Sequence, residues 1–225
     1  TAPGKGILEL EHSAGKLERP IELVSRSFPS EDILLDRTNT ALRTVPDPAK
    51  TAESLAFAKI FQSSDPTAIL ALGRLVPPVP EPWRKTSGFG DTRKYIYYNG
   101  SSEYSVHGGI DIGATEGTTV SACASGRVVF AAPRIVTGKT IVIEHLPGLF
   151  SIYMHLSSIA TDEGKIVEAG QTIGKVGSTG LSTGPHLHWE LRIGQVSVDP
   201  EYWLTRPLLD KETDSGRIKL PIEGR

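Results

Sequence analysis

Two imidazoles stand two residues apart in the stretch Gly184-Pro185-His186-Leu187-His188-Trp189-Glu190-Leu191. If this run is a strand, His186 and His188 share one face, about 7 Å apart along it, while Leu187, Trp189 and Leu191 fill the other. Two neutral imidazoles on one face can hold a metal ion, or one can hold it while the other moves protons. Two further stretches carry related chemistry. His107-Gly108-Gly109-Ile110-Asp111 joins a histidine to a carboxylate. On a straight strand those groups would lie about 13 Å apart, so a bend at the glycines is needed for both to reach one point. Tyr153-Met154-His155-Leu156 ends an apolar run, where a strand would deliver His155 to the rim of a sheet. Tyr153, two residues earlier, is expected on the same face and beside the site.

The elements that must position these groups read as short strands. Between residues 85 and 205 the candidates are 109–112, 118–122, 126–131, 140–144, 150–155, 172–176 and 186–193. Turn residues at Gly138, Pro147-Gly148 and Gly194-Gln195 predict hairpins, and the whole reads as an all-β domain of antiparallel sheets. The run 177–184 is a glycine-, serine- and threonine-rich loop able to bring backbone close to a ligand. Asp199 to Leu204 reads as one helical turn.

Residues 1–75 differ in texture and are expected to form a smaller α+β accessory domain. Strands are predicted at Ile7-Leu8-Glu9-Leu10, within 6–11, and at Ile21-Glu22-Leu23-Val24, within 20–28. Asp47-Pro48 opens a helix with an apolar face of Ala52, Leu55, Ala56 and Ile60, widened by Phe57 and Phe61. Asp65 to Leu72 reads as a second short helix. Val76-Pro77-Pro78-Val79-Pro80-Glu81-Pro82 cannot continue a helix or a central strand, so residues 76–84 are expected to be a linker. Residues 206–225 read as a polar tail. Its end, Ile222-Glu223-Gly224-Arg225, spells the recognition site of a processing protease used with fusion proteins and is expected to be an expression remnant.

Composition narrows the function. The chain has 225 residues and a formal net charge of -2, which gives no support for nucleic-acid binding through bulk charge. No stretch is long and apolar enough to span a membrane as a helix. Cys123 is the single cysteine, so an internal disulfide and a cysteine-based zinc ribbon are excluded. Cys123 is expected to be a small core residue, and His145, just before Pro147, a surface histidine in a turn.

Taken together, the three motifs resemble the lysostaphin/LytM-type zinc endopeptidases of bacterial cell walls. In that family the order is His-x-x-x-Asp, then a histidine in a Tyr-x-His-Leu strand, then His-x-His, and all three occur here in order. The surrounding pattern agrees: Gly88-Phe89-Gly90, Gly117-Thr118-x-Val120, Gly126-x-Val128 and Gly170-Gln171-x-Ile173-Gly174. The resemblance covers roughly residues 85–195. It implies one zinc ion held by His107, Asp111 and His188, with His155 and His186 as the uncoordinated catalytic pair. Local geometry does not choose between His186 and His188 as ligand; the resemblance makes that assignment. It also implies a peptidoglycan peptide as substrate, and hence a protein of the periplasm, the cell envelope or the exterior.

Substrate contacts are expected from the loops at 92–106 and 132–138, with Arg93, Tyr95, Tyr98 and Thr183 as candidates beside Tyr153. Two other readings remain in view. Some relatives of this fold have lost metal ligands and regulate other wall hydrolases, whereas all five residues are present here. Autoinhibition is the other, with residues 1–85 or the 92–106 loop covering the groove and Asn99, Glu103 or His12 offering a fourth ligand.

Overall fold

The computed structural model describes residues 3–12 and 15–208. The chain opens with an antiparallel ribbon of β1 (Gly4–His12) and β2 (Gly15–Leu23). β3 (Ser30–Leu34) follows, then α1 (Arg37–Thr44) and α2 (Pro48–Ile60). Each helix has an aspartate N-cap, Asp36 accepting from the Asn39 N–H and Asp47 from the Ala49 N–H. Pro48 stands at the start of α2, where its missing N–H has no partner to lose. The helix expected over 65–72 does not form. Its backbone is drawn off instead, with the Leu70 N–H donating to the His145 carbonyl and Asp65 binding the Thr67 N–H and hydroxyl.

The remaining strands are β4 (Arg84–Ser87), β5 (Thr92–Ile96), β6 (Ser102–Val106), β7 (Ile110–Gly113), β8 (Thr119–Ser121), β9 (Gly126–Arg134), β10 (Gly138–Leu146), β11 (Leu149–Leu156), β12 (Ser158–Ile159), β13 (Ile166–Val167), β14 (Thr172–Lys175), β15 (His186–Ile193) and β16 (Val196–Val198). A last helical turn, α3, spans Pro200–Leu204. An eight-stranded sheet runs in the order β13-β9-β10-β11-β15-β7-β4, with β16 also paired to β15. Two three-stranded sheets, β12-β14-β8 and β3-β5-β6, complete the main body. The pairing is antiparallel throughout except between β3 and β5, which run parallel. The stretch 92–106, expected as a loop, is therefore the β5–β6 hairpin. The three predicted hairpin turns all fall between paired strands, β9–β10, β10–β11 and β15–β16.

Alternation along β15 decides which face of the large sheet is core. Leu187, Trp189 and Leu191 are fully buried and pack with Ile110, Ile112, Val128, Ile141, Ile143 and Tyr153. The second face of the sheet is covered by α2. Phe57 and Phe61 pack edge-to-face with each other and against Phe130 and Phe150, with Ile152 and Met154 in the same cluster. Leu55, expected on the apolar face, points to solvent, because Phe57 and Phe61 are the side chains that meet the sheet.

Chain on both sides of the proline run shares these cores. Leu75 and Val79 are buried in the main core, the Val76 N–H donates to the Cys123 carbonyl and the Ser121 N–H to the Pro78 carbonyl. At the other end Leu208 packs on the same core and its N–H donates to Gly73. Residues 206–208 are thus docked chain, and the rest of the expected tail, with 222–225, lies outside the described residues.

Cys123 is fully buried, as expected, but so is His145, which corrects its reading as a surface residue. Its Nδ1 donates to the Ser125 carbonyl (2.8 Å) and its Nε2 meets the Ser151 hydroxyl (2.7 Å). The reason is register: β10 runs on through Leu146, so His145 is still inside the sheet.

Burial pushes the His145 imidazole down to about 4. Unfolding returns it to its ordinary value of 6.5. Below that pH the unfolded chain takes up a proton that the folded chain refuses. Stability therefore falls as pH drops from 6.5 toward 4, by about 2 kcal/mol between pH 7 and pH 5 from this residue. Urea titrations of the wild type and His145→Asn at the two pH values will show the wild type losing that much more than the variant. Phe61→Ala removes the ring through which α2 reaches Phe150, and its denaturation midpoint will report a loss of about 3–5 kcal/mol.

Candidate functional site

His107, Gly108 and Gly109 carry the chain from the end of β6 to the start of β7, out of one sheet and into another. Gly109 passes so close to β15 that a Cβ there would lie 2.4 Å from the Trp189 carbonyl oxygen. No other residue fits that approach. This is the bend that the spacing demanded, and it brings His107 Nε2 to 3.2 Å from Asp111 Oδ1. Asp111 lies on β7 directly opposite His188 on β15, so cross-strand register delivers the third group. His188 Nδ1 is 2.9 Å from Asp111 Oδ1 and 3.0 Å from His107 Nε2. All three side chains are buried, and one ligand atom of each lies within 4.8 Å of the others.

The outer contacts of the two imidazoles fix which nitrogen bears the proton. His107 Nδ1 sits 2.7 Å from the Gly88 carbonyl, which only accepts, so Nδ1 carries the hydrogen and Nε2 a lone pair. His188 Nε2 faces Glu190 Oε2 at 3.5 Å, which turns the Nδ1 lone pair inward. Two lone pairs and a carboxylate oxygen then face one another across about 3 Å. Such a cluster is stable only around a positive charge. Burial opposes charge on His188, but Asp111 and Glu190 outweigh it and raise this imidazole to about 9. Burial likewise opposes charge on Asp111, yet the imidazoles of His107 and His188 packed against it hold it far below the usual carboxylate range. Two nitrogens and one oxygen with an open side suit a catalytic zinc, and the donor set present fits that ion. The second carboxylate behind His188 was not singled out by the sequence. Glu190 is buried, accepts from Arg192 Nε and Ser197 Oγ (both 2.6 Å), and is held down to about 2 against its burial by His188 and Arg192. Its signal was its place two residues beyond His188, on the same face of the strand.

His186 and His155 stand beside this cluster, their ring centroids 4.8 Å apart. His186 shares the His188 face, as expected, with Nε2 3.9 Å from Asp111 Oδ1. Its Nδ1 donates to the Gly184 carbonyl (2.8 Å), and that of His155 to the Thr179 carbonyl (2.8 Å). Both therefore turn Nε2 to the groove. Burial first, and the neighbouring imidazoles second, push His155 down to about 3.

His155 reaches the groove by a route the strand pattern did not reveal. Its φ is +63°, a left-handed conformation that reverses the alternation of β11. The Tyr153 side chain consequently faces the opposite way, fully buried in the core. Its hydroxyl accepts from the Cys123 N–H (2.8 Å) and lies 3.0 Å from Ser151 Oγ. The expectation that Tyr153 flanks the site is corrected by that reversal. The left-handed turn is held from both sides: the His155 N–H donates to the Thr137 carbonyl (2.9 Å), and Thr179 Oγ1 donates to the Leu156 carbonyl (2.7 Å). Gly138 makes room for Thr179, which any Cβ at 138 would meet at 2.2 Å.

Two cavities of ≈ 460 Å³ and ≈ 200 Å³ flank the cluster and share Ile33, Arg93, Asp111, Thr183 and His186 as lining. Arg93 and Thr183 thus line both cavities, and Tyr95 lines the smaller one. Arg93 is no solvated loop residue: its guanidinium binds Asp111 Oδ2 and, at 2.8 Å, Glu31 Oε1. Tyr98 does not border the site. It lies at the tip of the β5–β6 hairpin, exposed, with its hydroxyl accepting from Arg37. Asn99 binds its own turn through the Ser101 N–H and hydroxyl, and Glu103 pairs with Tyr97 and Arg43, so neither side chain is directed at the cluster. The His12 side chain lies outside the described residues.

The model of Peptidase family M23 matches residues 105–200, which include the three residues of the cluster and the two histidines beside it. The chain is 45% identical over 95 residues to the DD-carboxypeptidase/endopeptidase Mpg of Neisseria meningitidis, covering 42% of this chain and 22% of that protein. It is 42% identical over 98 residues to the murein hydrolase activator EnvC of Escherichia coli, covering 44% of this chain and 23% of that one. The matched part is therefore less than a quarter of the length of either relative. A crystal structure of a putative M23 peptidase from Pseudomonas aeruginosa superposes with a TM-score of 0.64 at 26% identity, covering 91% of this chain and 74% of that one. Residues 105–200 of this chain therefore match peptidase family M23, and the fold that carries them is of the LytM/lysostaphin type.

Proposed function

We propose that the protein is a zinc-dependent endopeptidase that hydrolyses peptide cross-links or stem peptides of bacterial peptidoglycan. The observation that carries this reading is the convergence of His107 Nε2, Asp111 Oδ1 and His188 Nδ1 on one point, with two open imidazole Nε2 atoms beside it. His107, Asp111 and His188 are the residues that would hold the metal. When bound, zinc supplies Lewis acidity toward a carbonyl and lowers the pKa of a coordinated water toward about 7. His155 and His186, with Nδ1 tied to backbone carbonyls, each turn Nε2 to the groove, where it can take a proton from the attacking water. The imidazolium so formed becomes a donor, able to hydrogen-bond the developing oxyanion and then protonate the leaving amine. Gly184 and Thr179 fix the ring planes, so little reorganisation is needed. The similarity to a DD-carboxypeptidase/endopeptidase supports a peptidoglycan substrate and hence work in the periplasm, at the cell envelope or outside the cell.

A second reading, a non-catalytic activator of wall hydrolases, is favoured by the similarity to EnvC. The two differ in one assay. Purified cross-linked peptidoglycan is incubated with the protein, and released fragments are identified by mass spectrometry beside chelated and His188→Ala samples. Release that stops in both controls supports the peptidase, and the fragment masses name the bond. Zinc bound without any release supports the activator instead. In the same assay His155→Ala and His186→Ala will each lose at least about 100-fold in rate while retaining zinc, because neither holds the ion.

Glu190→Gln keeps the size of the side chain but removes the charge that orients His188. Zinc affinity, read by competition with a chromophoric chelator, will fall roughly 10- to 100-fold, with the circular dichroism spectrum unchanged.

A further inference from the structure

Glu31 lies on β3, 74 residues before the segment matched to the family and in the part of the chain that carries no motif of its own. One of its oxygens, Oε1, accepts two hydrogen bonds. Arg93 Nε donates at 2.8 Å, and the Ser87 hydroxyl at 2.7 Å. Each of these donors continues to a different member of the cluster. The Arg93 guanidinium binds Asp111 Oδ2, and the Ser87 oxygen lies 3.2 Å from His107 Nδ1. A Ser87 hydroxyl that gives its hydrogen to Glu31 can only accept from His107, which agrees with the proton on Nδ1.

We propose that Glu31 is a positioning residue for the metal centre: through Arg93 and Ser87 it orients Asp111 and His107 at once, so that the N-terminal segment completes the site. The inference rests on the metal-centre reading above. With Arg93 holding Oδ2, Asp111 offers a single oxygen, Oδ1, to the cation. Glu31 gives the guanidinium a second carboxylate partner, so Arg93 does not depend on Asp111 alone for its counter-charge. Parallel pairing of β3 with β5 sets Glu31 opposite Arg93 in register, so the strand contact and the polar contact depend on each other. His188 has its own carboxylate in Glu190, while Glu31 stands behind the other two through Arg93 and Ser87.

The test uses the full chain and the variants Glu31→Ala, Arg93→Met and their double. Zinc dissociation constants come from chelator competition, and cobalt(II) absorption spectra report coordination. Metal-free unfolding curves separate loss of fold from loss of positioning. Glu31→Ala is expected to weaken zinc roughly 10-fold or more in the wild-type background and less than about twofold in Arg93→Met, because most of its effect passes through that residue. In Arg93→Met the visible cobalt absorption is expected to fall, as Asp111 Oδ2 becomes free to join the coordination sphere. Equal zinc affinity in wild type and Glu31→Ala, or full additivity with Arg93→Met, overturns the proposal. A wild type that binds zinc no better than His188→Ala would instead overturn the metal-centre reading itself.

Discussion

Two imidazole lone pairs and a carboxylate oxygen share one small volume, and a positive charge must stand among them. His107 Nε2 and His188 Nδ1 lie 3.0 Å apart, with Asp111 Oδ1 within 3.2 Å of both. In the absence of a metal a proton takes that role, which is why His188 is raised to about 9. Everything else in the site serves to keep these three atoms from turning away: the Gly88 carbonyl behind one ring, Glu190 behind the other, Arg93 behind the carboxylate. A metal entering the cluster displaces a proton, so its affinity depends on pH even where no group outside the site titrates.

The sheet supplies the accuracy. His188 and Asp111 are cross-strand partners on β15 and β7, and the opposite face of the same two strands holds Leu187, Trp189, Ile110 and Ile112, all fully buried. A slip of one residue would exchange a polar face for an apolar one at every position, which pins the register. Gly109 then closes the remaining degree of freedom, because only a residue without a side chain passes beneath the Trp189 carbonyl.

Much of this was legible because it rests on periodicity and on glycine. Alternation in 186–193 placed the core and the His186/His188 face, and the glycines of 108–109 marked the bend that brings His107 to Asp111. What escaped notice depends on contacts between distant parts of the chain. The reversed backbone at His155 hid the fate of Tyr153, since nothing local distinguishes a strand that continues from one that turns over at its last residue but one. The burial of His145 followed from β10 extending two residues past its apolar run. The role of residues 30–79 was invisible for a related reason. β3 pairs with a strand 62 residues away in register terms, Glu31 to Arg93, and no sequence period records a partner so remote. The prolines at 77–82 marked where regular structure stops, but not that Val79 would be drawn into the core.

The left-handed backbone at His155 has a consequence for anyone seeking a hardier form of this protein. A non-glycine residue in that conformation costs about 1–2 kcal/mol relative to glycine. A screen that rewards thermal endurance alone will therefore favour glycine or asparagine at 155, the residues most at ease there. The winners would outlast the parent and lack one of its two open imidazoles. At this position selection for endurance and selection for chemistry point in opposite directions, and a library for engineering should hold residue 155 fixed.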